Sequence, residues 1–484
     1  MRRCVESLIL GASVLVAACQ DAPVTPGVKV TPGGPQLAQG GVPGPPPGHL
    51  VPNPPGPPPR VPVPLPPQAN RPPFLTNILE IGAGSDYSCA LRADGVVLCW
   101  GANGSGQFGN GSVVPSVTPV ETSGETRFAH LIVGDTDACG LTSTGEAYCW
   151  GDNSSGQLGA GISATQSRVP VPVAGGHRFV DLSVGLSATC GVATDGVTYC
   201  WGSNTFGLLG NGVFGGSSNV PVAVSANGLP PFQAVSVGFF GACARTASSA
   251  VYCWGQAALL GNGGGGSSAT PVRALVSGFY EEVDAGGLYG CGVATSGETR
   301  CWGQGTFGEL GTGSFLSAAT PMPVVGGLTL TQLDVNDNNI VFGSTCGLTA
   351  AGEAWCWGSN RFGQLGAPSA STCSFATVPN FDCSAVPLRV TGGIAFKQIA
   401  VGREHMCALS LTNVAWCWGA NNMGQLGDGS LTNSSAPVAV NGLKVPQQIG
   451  SVVASPLAAL FHVLGITQQF SATALAEDGT PCST

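Results

Sequence analysis

Fourteen cysteines fall in seven pairs, at 89/99, 139/149, 190/200, 243/253, 291/301, 346/356 and 407/417, and within every pair the spacing is ten residues. Successive pairs begin 50, 51, 53, 48, 55 and 61 residues apart. A unit of this size cannot bury an apolar face alone, so the copies must stack into a solenoid or close into a propeller. Seventy-five Gly and 37 Pro, about 23% of 484 residues, exclude long helices, because these are the two poorest helix formers.

Within the first unit, the runs Cys89-Ala90-Leu91 and Val96-Val97-Leu98-Cys99 flank Ala93-Asp94-Gly95. That is a three-residue hairpin loop with Gly where φ must be positive. Folding about Asp94 sets Cys89 opposite Cys99 and predicts seven cross-strand disulfides: Cys89–Cys99, Cys139–Cys149, Cys190–Cys200, Cys243–Cys253, Cys291–Cys301, Cys346–Cys356 and Cys407–Cys417. Each would contribute about 2–3 kcal/mol by the chain-entropy argument. Zinc is the alternative, but two facing cysteines supply only half a tetrahedral site. Residues 367–393 form an expanded loop with a pair of its own, Cys373–Cys383. A stapled loop is preordered for a partner; the plainer reading is a protective lid.

After each hairpin comes Trp-Gly-x-Asn-x-x-Gly-Gln-Phe/Leu-Gly, beginning at Trp100 and echoed from Trp150, Trp201, Trp302, Trp357 and Trp418. The copy from Trp254 to Gly261 is two residues short and lacks the Asn. A Pro-Val strand follows, and then an apolar strand ending in Gly84, Gly134, Gly185, Gly238, Gly286 or Gly402, with Val341 at that place in the sixth unit. Four short strands per unit and seven units predict an all-β, seven-bladed propeller, which protects its strand edges by closing. The order Gly, Ala-Leu, Asp-Gly, Trp-Gly-x-Asn-x-x-Gly-Gln-Leu-Gly across residues 78–443 resembles the regulator of chromosome condensation repeat family. The resemblance implies that family's propeller fold. The family's His three residues after the repeat Gly survives only as His405; Tyr87, Asp137, Ala188, Gly241 and Tyr289 stand in its place. Partner-specific residues therefore do not carry over.

Arg2 and Arg3 precede an apolar run, Leu8 to Ala18, that is too short to cross a bilayer and has the pattern of an export signal. Its end, Val16-Ala17-Ala18-Cys19, resembles a bacterial lipoprotein lipobox, which implies a signal peptide at 1–18 and lipidation of Cys19. Gln20 after the cysteine implies an outer-membrane destination, periplasmic or surface-exposed. Residues 20–73 hold 20 of the 37 prolines and read as a disordered polyproline stalk within a 19–73 linker. The domains are thus 1–18, 19–73, the propeller at 74–443, and a degenerate half-repeat or tail at 444–484 that carries an odd Cys482.

Net charge is −9, and losing Arg2, Arg3 and Glu6 with the signal makes it −10. So acidic a chain is a poor match for nucleic acid. Little supports catalysis: the five histidines are scattered, with no metal-binding helix motif or nucleophile elbow. Gly104-x-Gly106-x-x-Gly109 is part of the repeat, and Asp334 to Asn338 lacks the Gly and distal Glu of a calcium loop. No metal and no cofactor are expected. Seven tryptophans belong to the repeat and are expected in inter-blade packing, with Trp355 and Trp416 on the same strand face.

The loops joining first and second strands emerge on one propeller face. They carry Asp86, Tyr87, Asp135, Asp137, Phe239, Phe240, Leu288, Tyr289, Arg403, Glu404 and His405, aromatic and charged residues at variable positions of a constant frame. This is the candidate binding rim; solvated turns are the plain alternative. The function expected is a monomeric, non-catalytic binding module of the cell envelope, held to the membrane only by its lipid. Its partner would be a protein or an envelope polymer. An enzyme inhibitor of the β-lactamase-inhibitory type is an alternative. A nucleotide exchange factor and a channel-sited hydrolase or lyase are more distant ones.

Overall fold

The computed structural model describes residues 75–225, 228–276, 278–335, 342–375, 378–442, 452–455 and 471–474. The signal and stalk with Cys19, the segment 336–341 with Val341, and Cys482 lie outside them. The propeller falls in one compact unit, Pro72–Lys444. In the other, Val452–Ser455 pairs antiparallel with Ser471–Ala474.

Each repeat folds into one antiparallel sheet, and seven such sheets make the propeller. The first is Ile78–Ala83, Tyr87–Arg92, Val97–Gly101 and Ser116–Glu121, paired in chain order. Turn chemistry dictates the central hairpin: Gly95 sits at φ 82°, and its N–H bonds the carbonyl of Arg92. In blades four and seven the same left-handed place is filled by Ser249 and Asn413, both at φ 61°. The register sets Cys89 against Cys99, as the spacing predicts, and all seven repeat pairs and Cys373–Cys383 are disulfides. Among the described residues the only helix is a 3-10 turn at Ala257–Leu259.

The innermost strands are Ile78–Ala83, His130–Val133, Phe179–Val184, Phe232–Val237, Tyr280–Ala285, Leu330–Val335 and Phe396–Val401. Their alternation sends one face into the blade and the other into a central channel. Channel-facing side chains reach the backbone of the next blade. Glu80 accepts from Leu131 N–H at 2.7 Å, Asp181 from Val235 at 2.7 Å, Glu282 from Leu333 at 2.7 Å, Asp334 from Val401 at 2.8 Å and Gln398 from Ile81 at 3.0 Å. The last of these closes the ring from blade seven to blade one.

The repeat tryptophans make the matching joint outside the channel. Each indole is buried and donates to a carbonyl in the preceding blade: Trp150 to Gln107 at 2.9 Å, Trp302 to Leu259 at 2.6 Å, Trp418 to Gln364 at 2.9 Å. Glycine at the end of the first strand lets neighbouring corners touch; a Cβ on Gly238 would run into the carbonyl of Gly286, and one on Gly402 into that of Gly84. Blade six departs from the pattern. Its outer strand, Val378–Arg389, is extended and carries a fifth strand, Ser371–Phe375, with Cys373–Cys383 stapling the two.

Candidate functional site

Loops between first and second strands, and between third and fourth, leave the sheets on the same face because consecutive strands alternate in direction. This face holds the rim, and the structure divides the rim residues into two sets. Tyr87, Asp137, Tyr289 and His405 are buried, and Asp135 nearly so. Tyr87 donates its hydroxyl to the backbone carbonyl of Asp137 at 2.6 Å, Tyr289 to that of Ser344 at 2.8 Å, and His405 Nε2 lies 2.8 Å from Ser88 Oγ. These residues are pegs between blades, so they do not present the exposed contacts expected of a rim. The reason is register: all but Asp135 occupy the first position of the second strand, where Tyr87, Tyr289 and His405 reach the neighbouring sheet.

Asp86, Phe239, Phe240, Leu288, Arg403 and Glu404 precede that position and retain exposed surface. They separate by chemistry. Phe239 and Phe240 pack edge to face at 4.2 Å, and Phe240 meets Phe206 of blade three at 4.7 Å. With Leu288 and the exposed Phe375 they make the face apolar over blades three to six. Across blades six, seven, one and two it is charged. Arg361 lies 3.9 Å from Glu404, with its guanidinium also over the rings of Phe342 and Phe362. Burial raises the Asp86 and Glu404 carboxyls while the charge of Arg403 opposes it.

Asp135 is pushed up to about 6 by burial. Asp137, with neither carboxylate oxygen hydrogen-bonded, is driven well above the carboxylate range by burial and by the nearby Asp152 and Asp135. Burial also keeps His405 neutral, pushing it down to about 3. Asp137 is sealed from solvent. Among the described residues no group of three or more His, Cys, Asp or Glu has the geometry to hold a metal ion.

Three features escape the sequence reading. The channel is lined by Glu282, Asp284 and Asp334, all raised chiefly by burial, around a cavity of about 250 Å³. Their alignment at the third and fifth places of the innermost strands is the signal that finds them. Glu309 stands where four other loops have Gln107, Gln157, Gln364 and Gln425 and blades three and four have Leu208 and Leu259, and burial pushes it up to about 8. Gly305 replaces the loop Asn of blade five.

Two family models, both described as the regulator of chromosome condensation repeat, match the chain, one at residues 78–107, 133–157 and 396–425, the other at 195–244, 351–409 and 414–453. The chain carries regulator of chromosome condensation repeats. Among curated proteins, these repeats are 28% identical over 389 residues to the Arabidopsis thaliana ultraviolet-B receptor UVR8, covering 78% of this chain and 85% of that one. They are 28% identical over 298 residues to the human E3 ubiquitin-protein ligase HERC2, covering 60% of this chain but 6% of the ligase. Among solved structures the repeat propeller is similar to Prp20p of Saccharomyces cerevisiae, with TM-score 0.63, 16% identity, and 77% of this chain and 89% of that one covered. Human WBSCR16 gives 0.60 at 19% identity, covering 74% and 96%. At these identities the structural likeness establishes the fold.

Proposed function

We propose that the propeller is a non-catalytic protein-binding module working through its loop face, exported to a bacterial cell envelope and held there by lipid on Cys19. The observation that carries the binding reading is the half-buried edge-to-face pair Phe239–Phe240, in contact with Phe206 on a face that also carries Arg403 and Glu404. Aromatic anchors beside charged contacts are what protein hot spots use. Prp20p, similar in fold, is described with binding properties to Gsp1p and histones, and it supports a protein partner for this chain. Eight buried disulfides in the described residues accord with export to an oxidising compartment.

The test is chemical crosslinking of the full, oxidised chain in source cell envelopes, beside a variant with Phe239→Ala, Phe240→Ala and Arg403→Ala. One crosslinked protein, present with the natural chain and lost with the variant, supports the reading. A protein retained equally by both moves the site elsewhere, and recovery of polysaccharide alone replaces a protein partner by an envelope polymer.

A further inference from the structure

The largest departures from the repeat on the loop face converge on one place. In five blades the loop after Trp-Gly is braced by its Asn, whose Oδ1 accepts the N–H five residues on: Asn103 from Phe108, Asn153 from Leu158, Asn204 from Leu209, Asn360 from Leu365 and Asn421 from Leu426, at 2.9–3.1 Å. Blades four and five are the two without that brace. Blade four has instead the short 3-10 turn Ala257–Leu259, followed by the run Gly263 to Gly266; blade five has Gly305. The stapled hairpin of blade six stands beside them. Between these three elements lies a cavity of about 740 Å³.

Its walls are Ala257, Ala258 and Gly265 from blade four, Thr306 and Phe307 from blade five, and Phe375 from the hairpin. The small residues supply the room, Phe375 supplies an exposed aromatic surface, and the buried Phe307 backs it. Phe307 is fixed in a cluster with Phe342 and Phe381, at 5.5 and 5.7 Å, and meets Phe375 at 5.9 Å and 73°. Cys373–Cys383 holds the hairpin that carries Phe375. No lining residue among those described is ionisable; the polar groups are the hydroxyls of Thr306 and Ser317 and the amide of Gln304.

We propose that this cavity is a binding site for a small, uncharged, flat aromatic molecule. Its volume lies within the range of about 300–1,000 Å³ typical of small-ligand sites. Absence of charge in the described lining selects against ions, which would be desolvated without a counter-charge. The exposed ring of Phe375, held edge to face against the buried Phe307, offers a ligand ring a fixed aromatic partner. A wall fixed by a disulfide and an aromatic cluster requires little ordering when the ligand enters. The site is independent of the protein-binding reading: it uses none of the rim residues altered in the crosslinking variant.

The test is titration of the full, oxidised chain with N-phenyl-1-naphthylamine, a neutral aromatic dye, followed by emission and by calorimetry. Ala258→Trp and Ala319→Trp fill the cavity from exposed positions, while Ala164→Trp adds the same bulk to an exposed loop of blade two. Saturable binding at one site per chain is expected, weakened at least about tenfold by either filling variant and unchanged by Ala164→Trp. The sulfonated analogue 1-anilinonaphthalene-8-sulfonate should bind at least about tenfold more weakly than the neutral dye. No saturable binding, equal binding by the filled variants, or equal loss in Ala164→Trp overturns the site. Equal affinity for the sulfonate overturns the assignment of an uncharged ligand. Unchanged thermal unfolding of the variants separates loss of the site from loss of the fold.

Discussion

The indole of Trp100 donates to the carbonyl of Gln425 at 2.9 Å, although 325 positions separate them. Every other repeat tryptophan makes this bond to the blade immediately before it in the chain, so the joint that closes the ring copies those inside it. Trp100→Phe should therefore cost as much stability as Trp201→Phe, about 2–4 kcal/mol each from lost packing and the lost indole hydrogen bond, since each carbonyl keeps a hydroxyl donor, Ser88 or Thr189. Urea denaturation of both variants checks this. A cost for Trp100→Phe smaller by more than about 1 kcal/mol would mean a closing joint weaker than the rest.

Glu309 should make the protein less stable as pH rises. Its carboxyl is pushed up to about 8 in the folded chain, against about 4.3 when unfolded. The folded state holds the proton longer, so the stability from this group is complete below the unfolded value and is lost as pH rises through the folded one. Glu309→Gln keeps the acceptor for Phe307 N–H at 2.8 Å and needs no proton. It should stabilise by on the order of 3 kcal/mol at pH 7 and by almost nothing at pH 4. Denaturation at the two pH values reads the difference directly, and an equal gain at both would refute the linkage.

His405 runs the other way. Its folded value is pushed down to about 3, so its contribution is present above the unfolded value of about 6.5 and is lost as pH falls through 3. The ring resonances of His405 should not move between about pH 8 and 5. A titration midpoint inside that window would show that the Ser88 contact is open to solvent.

Removing one repeat disulfide, by Cys139→Ala with Cys149→Ala, should lower stability by about 2–3 kcal/mol and leave the sheet register intact. Denaturation measures the loss, and amide exchange along 137–152 reports the register. Loss of protection throughout the blade would assign the disulfide a role in forming the hairpin as well as holding it.

Ser249 holds φ 61°, a conformation that disfavours a side chain with Cβ. Ser249→Gly brings this hairpin to the chemistry of Gly95 and should raise stability by about 1 kcal/mol. A thermal shift of the opposite sign would show that flexibility gained by the unfolded chain outweighs the relief.

Much of the architecture was legible because the repeat overdetermines it. Ten-residue cysteine spacing demands a register, Asp94-Gly95 demands a turn, and Trp100 demands a partner blade; the three agree. The placement of the candidate rim residues was only half legible. Asp86 and Tyr87 are neighbours in sequence, yet one retains exposed surface and the other is buried against Asp137, because a residue at the start of a strand turns toward the next sheet. That orientation is a property of two adjacent blades and is absent from either repeat alone. The channel carboxylates were missed for a related reason: nothing in the sequence sets Asp181 apart, and Asp334 opens what reads as an incomplete calcium loop, yet it lies in the strand Leu330–Val335, and once the ring closes each accepts a backbone N–H of the next blade.

Leu75, the first described residue, donates its N–H to Val440 at 3.0 Å and accepts from Ala415 at 3.3 Å. Both ends of the propeller therefore meet at a single seam. If Leu75 and Val440 were joined and the chain cut at an outer loop such as Gly124, the same blades would face the same neighbours in a circularly permuted order. The seam is also where tension would arrive if the segment before Leu75 were pulled. A tether there loads the contact between the last blade and the first before it loads any other.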